Sequence, residues 1–282
     1  MKKILITGAN SYIGTSFENY IKENFPGEYI VETIDMIDGS WREKSFSGYD
    51  SVFHVAGIAH QKETKKNAHM YYEVNRDLAI ETAQKAKADG VKQLVFLSTM
   101  SIYGMTTGVI TKDTKPNPRS HYGRSKWEAE QQIIPLQDEN FKVCILRPPM
   151  VYGKGCKGNF VKVKKLVERL PIFPYVKNQR SAIYINNLSS FVRMCVECSL
   201  SGVFSPQNRE YICTMDMAKS IAKSLNKNVR VEYFSGLAVA ALRLFLPVAQ
   251  RAFGSLVYQD TEDFNYSYIV AESEESIVQS VG

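Results

Sequence analysis

Long apolar runs are missing from these 282 residues. The most apolar stretch, LAVAALRLFLPVA from Leu237, is too short to cross a bilayer and is broken by Arg243 and Pro247. It reads as a core helix or an amphipathic helix docked on a surface. The opening MKKILITGAN holds only three apolar residues between its lysines and Thr7, so no signal peptide is expected. Cysteine is scarce and odd in number, five in all, which points to reduced thiols and a cytoplasmic location. Cys195 and Cys198 form a lone CxxC in the helical-looking FVRMCVECSL. With no second pair or nearby histidine to complete a ligand set, they read as core thiols, and no metal is expected. Low-complexity tracts and internal repeats are absent as well. The net charge is a mild +6 without a basic–aromatic stripe, which argues against nucleic acid and suits an anionic small molecule.

What is present is an ordinary soluble composition, 44% hydrophobic and 23% charged, laid out as alternating strands and helices. KKILITGA, YIVETID, DSVFHVAG, VKQLVFLS and KVCILRP read as buried strands. Residues 12–24, 69–89 and 121–134 read as the helices between them, ended by signals such as Gly90 and Pro135. Strands this rich in Val, Ile, Leu and Phe predict an α/β fold, a Rossmann-type doubly wound parallel sheet. Beyond residue 150 the rhythm turns irregular, with a Lys-rich helix over 160–170 and a strand near SAIYI. The expected division is a dinucleotide-binding domain over 1–153, with a strand and helix returning at about 181–200. A smaller, mainly helical substrate lobe over 154–282 would cap the carboxyl edge of the sheet, where open α/β sheets bind ligands.

TGANSYIGTSF follows the first strand directly. Gly8 permits the tight turn, Gly14 lets the helix approach the strand, and the helix start, with Tyr12 and Ile13, faces a pyrophosphate. Ser11 stands where a middle glycine is usual. A normal backbone angle would tolerate it, and its hydroxyl could bond a phosphate. Asp35, ending the second strand, is placed to accept ribose hydroxyls of NAD, while Arg42 nearby keeps NADP open. In HYGRSKWEAE, Tyr122 and Lys126 are four apart and share one helix face. A nearby ammonium would bring the phenol down from its ordinary value of about 10 toward a useful range. FLSTMSIYG adds the Thr99 hydroxyl at the end of a central strand.

These features together resemble the short-chain dehydrogenase/reductase superfamily, in its extended branch of nucleotide-sugar epimerases and dehydratases. The glycine turn is similar to that branch's TGxxGxxG. FHVAG, with Ala56 and Gly57, resembles its segment beside the cofactor pyrophosphate, and Asn75 in YYEVNRD its asparagine behind the active site. LRPPMVYGKG, with Pro149, resembles the strand and loop over the nicotinamide. GNF, with Asn159 and Phe160, resembles a substrate-binding turn, and RSAIYINNL the segment whose arginine, here Arg180, contacts the nucleotide diphosphate. The departures are Ser11, Met150 where asparagine is frequent in epimerases, and Asn187 where aspartate is common.

The resemblance implies catalysis by Thr99, Tyr122 and Lys126 with NAD (or NADP) on a UDP-sugar, in a homodimer. Tyr122 would take the C4 hydroxyl proton, Thr99 would bond the same oxygen, and Lys126 would anchor the ribose. A 4,6-dehydratase needs an Asp-Glu pair just after the threonine, and Met100 and Ser101 stand there instead. The leading expectation is a UDP-hexose 4-epimerase acting through a transient 4-keto sugar. A UDP-4-keto-sugar reductase of surface-polysaccharide pathways is the second, and a non-catalytic dinucleotide sensor the third. His54 and His60 read as packed or solvent-facing rings, and Lys162, Lys164 and Lys165 as a solvated helix face.

Overall fold

Continuous buried runs give the central strands their two-sided cover. β3 (Ser51–His54) and β4 (Gln93–Leu97) are buried at every position, as a strand between two helical layers must be. With β1 (Lys2–Thr7), β2 (Tyr29–Ile34), β5 (Lys142–Leu146) and β6 (Gly202–Phe204), they form a six-stranded sheet in the order β6-β5-β4-β3-β1-β2. Every pairing is parallel, and Thr7 stands level with Ile34 on one side and His54 on the other.

The computed structural model describes residues 1–175, 177–232, 254–259 and 263–282. The apolar stretch from Leu237 therefore lies outside the described residues. Two compact units share the chain, and their segments interleave. The first is Met1–Gly104, Lys115–Pro148 and Leu188–Pro206; the second is Met105–Thr114, Pro149–Asn187 and Gln207–Gly282.

In the first unit, helix α1 (Tyr12–Asn24) packs Phe17 edge-on against Phe53 of β3, ring centres 5.4 Å apart. The alternate side chains of the strands, Leu5, Val52 and Leu94, join Ala79, Ala83, Ala86, Ala129 and Ile133 of α3 (Leu78–Ala88) and α4 (His121–Ile133) in one core cluster. Small alanines let α3 lie close to the sheet. The helix expected over 69–89 is not uniform. It begins as α2 (Ala68–Tyr72), widens into a π-helical turn over Glu73–Asp77, and resumes as α3. That wide turn carries the fully buried Asn75.

The strand order reverses between β1 and β3, the place where open α/β sheets bind their ligands. The two chains cross tightly. Val55 and Ala56 both donate their N–H to the Thr7 carbonyl, at 3.1 and 2.9 Å. Gly8, at φ +118°, follows directly; a Cβ there would sit 2.8 Å from the Ala56 nitrogen, so no other residue fits.

The second unit pairs short strands two by two: Met150–Tyr152 with Ala182–Tyr184, Ile172–Pro174 with Arg230–Glu232, and Gly108–Ile110 with Leu256–Tyr258. Its helices include α5 (Asn159–Arg169) and the segments Thr214–Ser224 and Ser273–Val281. Lys164 of α5 donates to the Val281 carbonyl at 2.7 Å, so the lysine face is not wholly solvated as expected. Of the CxxC pair, Cys195 is buried in a helix of the first unit. Cys198 falls beyond that helix's end and is exposed, which corrects its reading as a core thiol.

Candidate active site

The glycine turn closes as its sequence requires, and Ser11 has a specific job in it. Ser11 is the N-cap of α1, with ordinary extended angles of φ −71° and ψ 143°. Its hydroxyl accepts the Gly14 N–H at 3.2 Å, which caps the helix and leaves the O–H proton to donate elsewhere. The left-handed conformation of the turn falls on Asn10 instead, at φ 61°. Tyr12 and Ile13 open the helix, whose first turn holds no acidic side chain to oppose an anion. Asp35 is exposed just past β2, its carboxylate accepting the Ile37 N–H at 2.8 Å. Arg42 is held in a two-pronged ion pair with Glu81 and lies over the Trp41 ring.

The three groups expected to act are brought to one place in the first unit. Thr99 follows β4 and caps the short 3-10 turn Met100–Tyr103, its Oγ1 accepting the Ser101 N–H at 3.1 Å. The Thr99 hydroxyl also favours ionisation of the Tyr122 phenol. α4 can lie this close because residue 123 is glycine: a Cβ there would meet the Ser101 carbonyl at 2.5 Å. Lys126, buried, donates to the Leu97 carbonyl at 2.8 Å and sits over the Phe96 ring.

The electrostatics differ from the simple expectation of an ammonium lowering a phenol. Burial pushes Tyr122 up, with only the Thr99 hydroxyl pulling the other way. Burial also lowers Lys126 to about 7, with Glu130 partly opposing the fall. Dry surroundings penalise both charged forms, so neither group is primed by the other alone.

Around them lies a polar shell. Asn75 accepts from the Ile58 N–H at 2.7 Å and donates to the Ile58 carbonyl at 3.0 Å and to Ser125 at 3.3 Å. Gly57 leaves the space beside it: a Cβ there would lie 2.9 Å from the Asn75 oxygen and 3.4 Å from the Lys126 nitrogen. Sequence reasoning passed over Glu130, which is fully buried under this site. It accepts from Ser98 and makes a two-pronged pair with Arg147, which also reaches the Tyr103 hydroxyl at 2.9 Å. The signal was available, since Glu130 follows Lys126 at the helical i+4 spacing. His54 is buried and neutral, held down to about 3 by burial, with Nδ1 bonded to the Thr7 hydroxyl at 2.8 Å. His60 is exposed.

In the second unit, Met150, Asn159 and Arg180 line one small cavity with Val163, Ile212, Thr214 and Met217. Arg180 donates to the Gly254 carbonyl at 2.7 Å, and no carboxylate among the described residues pairs with it. Phe160 does not line this space. It is buried and stacks on Tyr152 at 5.6 Å, so its ring belongs to the unit's core. Pro149, the first residue of this unit's second segment, is buried. Asn187 explains its own departure from aspartate. Its amide donates to Asn208 and to the Ala271 carbonyl, and its oxygen accepts the Val270 and Ala271 N–H groups; a carboxylate could not donate.

The profile of the NAD dependent epimerase/dehydratase family matches residues 4–235. The chain belongs to that family. Its relatives include a UDP-glucose 4-epimerase of Vibrio cholerae, 30% identical over 80% of this chain and 76% of the relative. An N-acetyl-alpha-D-glucosaminyl-diphospho-ditrans,octacis-undecaprenol 4-epimerase of Escherichia coli O157:H7 is 22% identical over 80% and 73%. The fold is shared with a dTDP-4-dehydrorhamnose reductase of Clostridium acetobutylicum, with a TM-score of 0.77, 21% identity and coverage of 99% and 98%. The sequence resemblance and the doubly wound fold are thus both met, and NAD(P) is the cofactor of the family. No helix among the described residues is long and apolar enough to cross a membrane, and no group of ligands there could hold a metal ion.

Proposed function

We propose that this chain is an NAD-dependent UDP-hexose 4-epimerase, with Thr99, Tyr122 and Lys126 as its catalytic residues. The observation that carries the reading is the gathering of the three groups in the first unit, with Lys126 buried beside Gly57 and Asn75 and the Thr99 hydroxyl favouring ionisation of the Tyr122 phenol. The Vibrio relative, at 30% identity over most of both chains, supports the reaction class.

The first unit fits a dinucleotide. Gly8 is compelled by the crossing of β1 and β3, the start of α1 carries no opposing carboxylate, and Asp35 stands exposed at the end of β2. Gly8, Ser11, Tyr12, Ile13, Gly14, Asp35, Ala56, Gly57, Asn75, Tyr122 and Lys126 are the proposed cofactor residues of this unit, with Ser11 acting through the cap. Arg42, committed to Glu81, is a poor receiver for an added ribose phosphate, which favours NAD over NADP. Bound NAD would supply the hydride acceptor and donor for C4. Tyr122 takes the C4 hydroxyl proton and gives it back. Thr99 holds the same oxygen, while Lys126 binds ribose and leaves the Leu97 carbonyl to do so. Asn159 and Arg180 hold the nucleotide diphosphate: a half-buried guanidinium with no carboxylate beside it among the described residues calls for an anion.

Incubation with UDP-glucose or UDP-N-acetylglucosamine, followed by separation of the galacto epimers, tests the reading. Interconversion is expected without added NADH. No epimer from any UDP-sugar, together with NADPH consumption on a 4-keto sugar, would make the protein a reductase instead.

A further inference from the structure

The first turn of α4 bears Tyr122 yet contains no acidic residue of its own. A helix start leaves its first N–H groups without intrahelical partners, and its positive end asks for an anion. Ser120 answers for one, its hydroxyl accepting the Gly123 N–H at 3.0 Å. The next two are taken by a side chain from far upstream: Glu63 accepts the His121 N–H at 2.9 Å through Oε2 and the Tyr122 N–H at 3.1 Å through Oε1.

Glu63 lies on the segment that leaves β3 through Ala56 and Gly57, and that segment is fastened along its length. Ile58 is gripped on both backbone groups by Asn75. Asn75 also donates to Ser125, whose hydroxyl bonds the Tyr122 carbonyl at 3.0 Å. Past Glu63, Asn67 accepts the Thr64 N–H at 2.8 Å and donates to the Lys62 carbonyl at 3.1 Å. Tyr72 meets the His121 ring nitrogen at 3.1 Å. The backbone of Tyr122 is thus held at both its N–H and its C=O by groups tied to the Ala56–Gly57 segment.

We infer that Glu63 is the positioning residue for Tyr122, transmitting the set of the Ala56–Gly57 segment to the phenol's backbone. The inference rests on the reading of Tyr122 as the proton-transferring group. Loss of the carboxylate lets the first turn of α4 fray and the phenol wander from Thr99, and misplacement by about 1 Å can cost on the order of 100-fold in rate.

The experiment compares wild type, Glu63→Ala and Glu63→Gln by kinetics on UDP-glucose, retained NAD, melting temperature and amide hydrogen exchange at residues 121–122. Glu63→Ala is expected to lower kcat roughly 10- to 100-fold with unchanged KM and NAD content. Exchange at the two amides should quicken at least about tenfold, and Glu63→Gln, which keeps one acceptor oxygen but sets a donor against the other N–H, should recover only part of the rate. Unchanged exchange in Glu63→Ala overturns the inference, as does a kcat loss that merely follows lost NAD or lost stability. Should wild type epimerise no UDP-sugar, the proposed function fails, and the exchange comparison still decides whether Glu63 holds Tyr122.

Discussion

The two units of this chain solve the placing of polar groups in opposite ways. In the first, the sheet does the placing: strand ends deliver Thr7, His54 and Thr99, and one helix periodicity aligns Tyr122 with Lys126. In the second, short strand pairs deliver little by themselves. Side chains distant in sequence hold one another instead, as Tyr152 with Ser276 at 2.6 Å and Asn208 with Tyr152 at 2.8 Å. A site written by regular elements tolerates change away from the strand ends, whereas a site written by an amide network depends on each donor and acceptor.

Changes at five positions sharpen this contrast. The largest effect belongs to the first unit: Tyr122→Phe should lower kcat by about 1,000-fold while the protein keeps its NAD, measured by turnover and by nucleotide released on denaturation. Arg180→Met in the second unit should instead raise KM for the UDP-sugar about 10- to 100-fold with little change in kcat. Asn187→Asp tests the network. It removes two donated hydrogen bonds and buries a charge, so denaturant melts should show a loss of about 3 kcal/mol.

His54 gives the pH dependence. Its folded value of about 3 lies below the ordinary 6.5, so between these limits the unfolded chain binds the extra proton. Stability therefore falls as pH drops through that window, by about 1.4 kcal/mol per pH unit at most from this group. His54→Asn should flatten that part of an acid-unfolding curve. The smallest effect is at the turn: Ser11→Gly should cost only a few tenths of a kcal/mol, and Ser11→Ala about 1 kcal/mol, through the lost cap on Gly14. A larger fall in NAD affinity than in stability would give the hydroxyl a phosphate contact as well.

These differences also mark what could be read from residues alone. The strands of the sheet follow from unbroken buried runs, and α1 and α4 fall within a residue of the helices read over 12–24 and 121–134. The Tyr122–Lys126 spacing is local and therefore legible. Glu63 is not, because its partners are 58 and 59 positions away, although a helix start without its own acid hinted at one from elsewhere. The π-helical turn under Asn75 has no periodic signature. Phe160 shows a different limit: a motif fixes its place beside Asn159, but only packing decides that its ring turns to the core. The pairing of Lys126 with a carbonyl rather than with Tyr122 is likewise a matter of burial, which spacing does not express.

The central claim is that one bound cofactor removes and returns the same hydrogen at C4 of a UDP-hexose. UDP-glucose carrying deuterium at C4 tests it in a single incubation with the purified protein. Full retention of the label in UDP-galactose, with no NADH released and a yield from Tyr122→Phe cut about 1,000-fold at early times, is the result expected. Loss of the label to the medium or to free NADH, or an unchanged yield from Tyr122→Phe, would contradict the account.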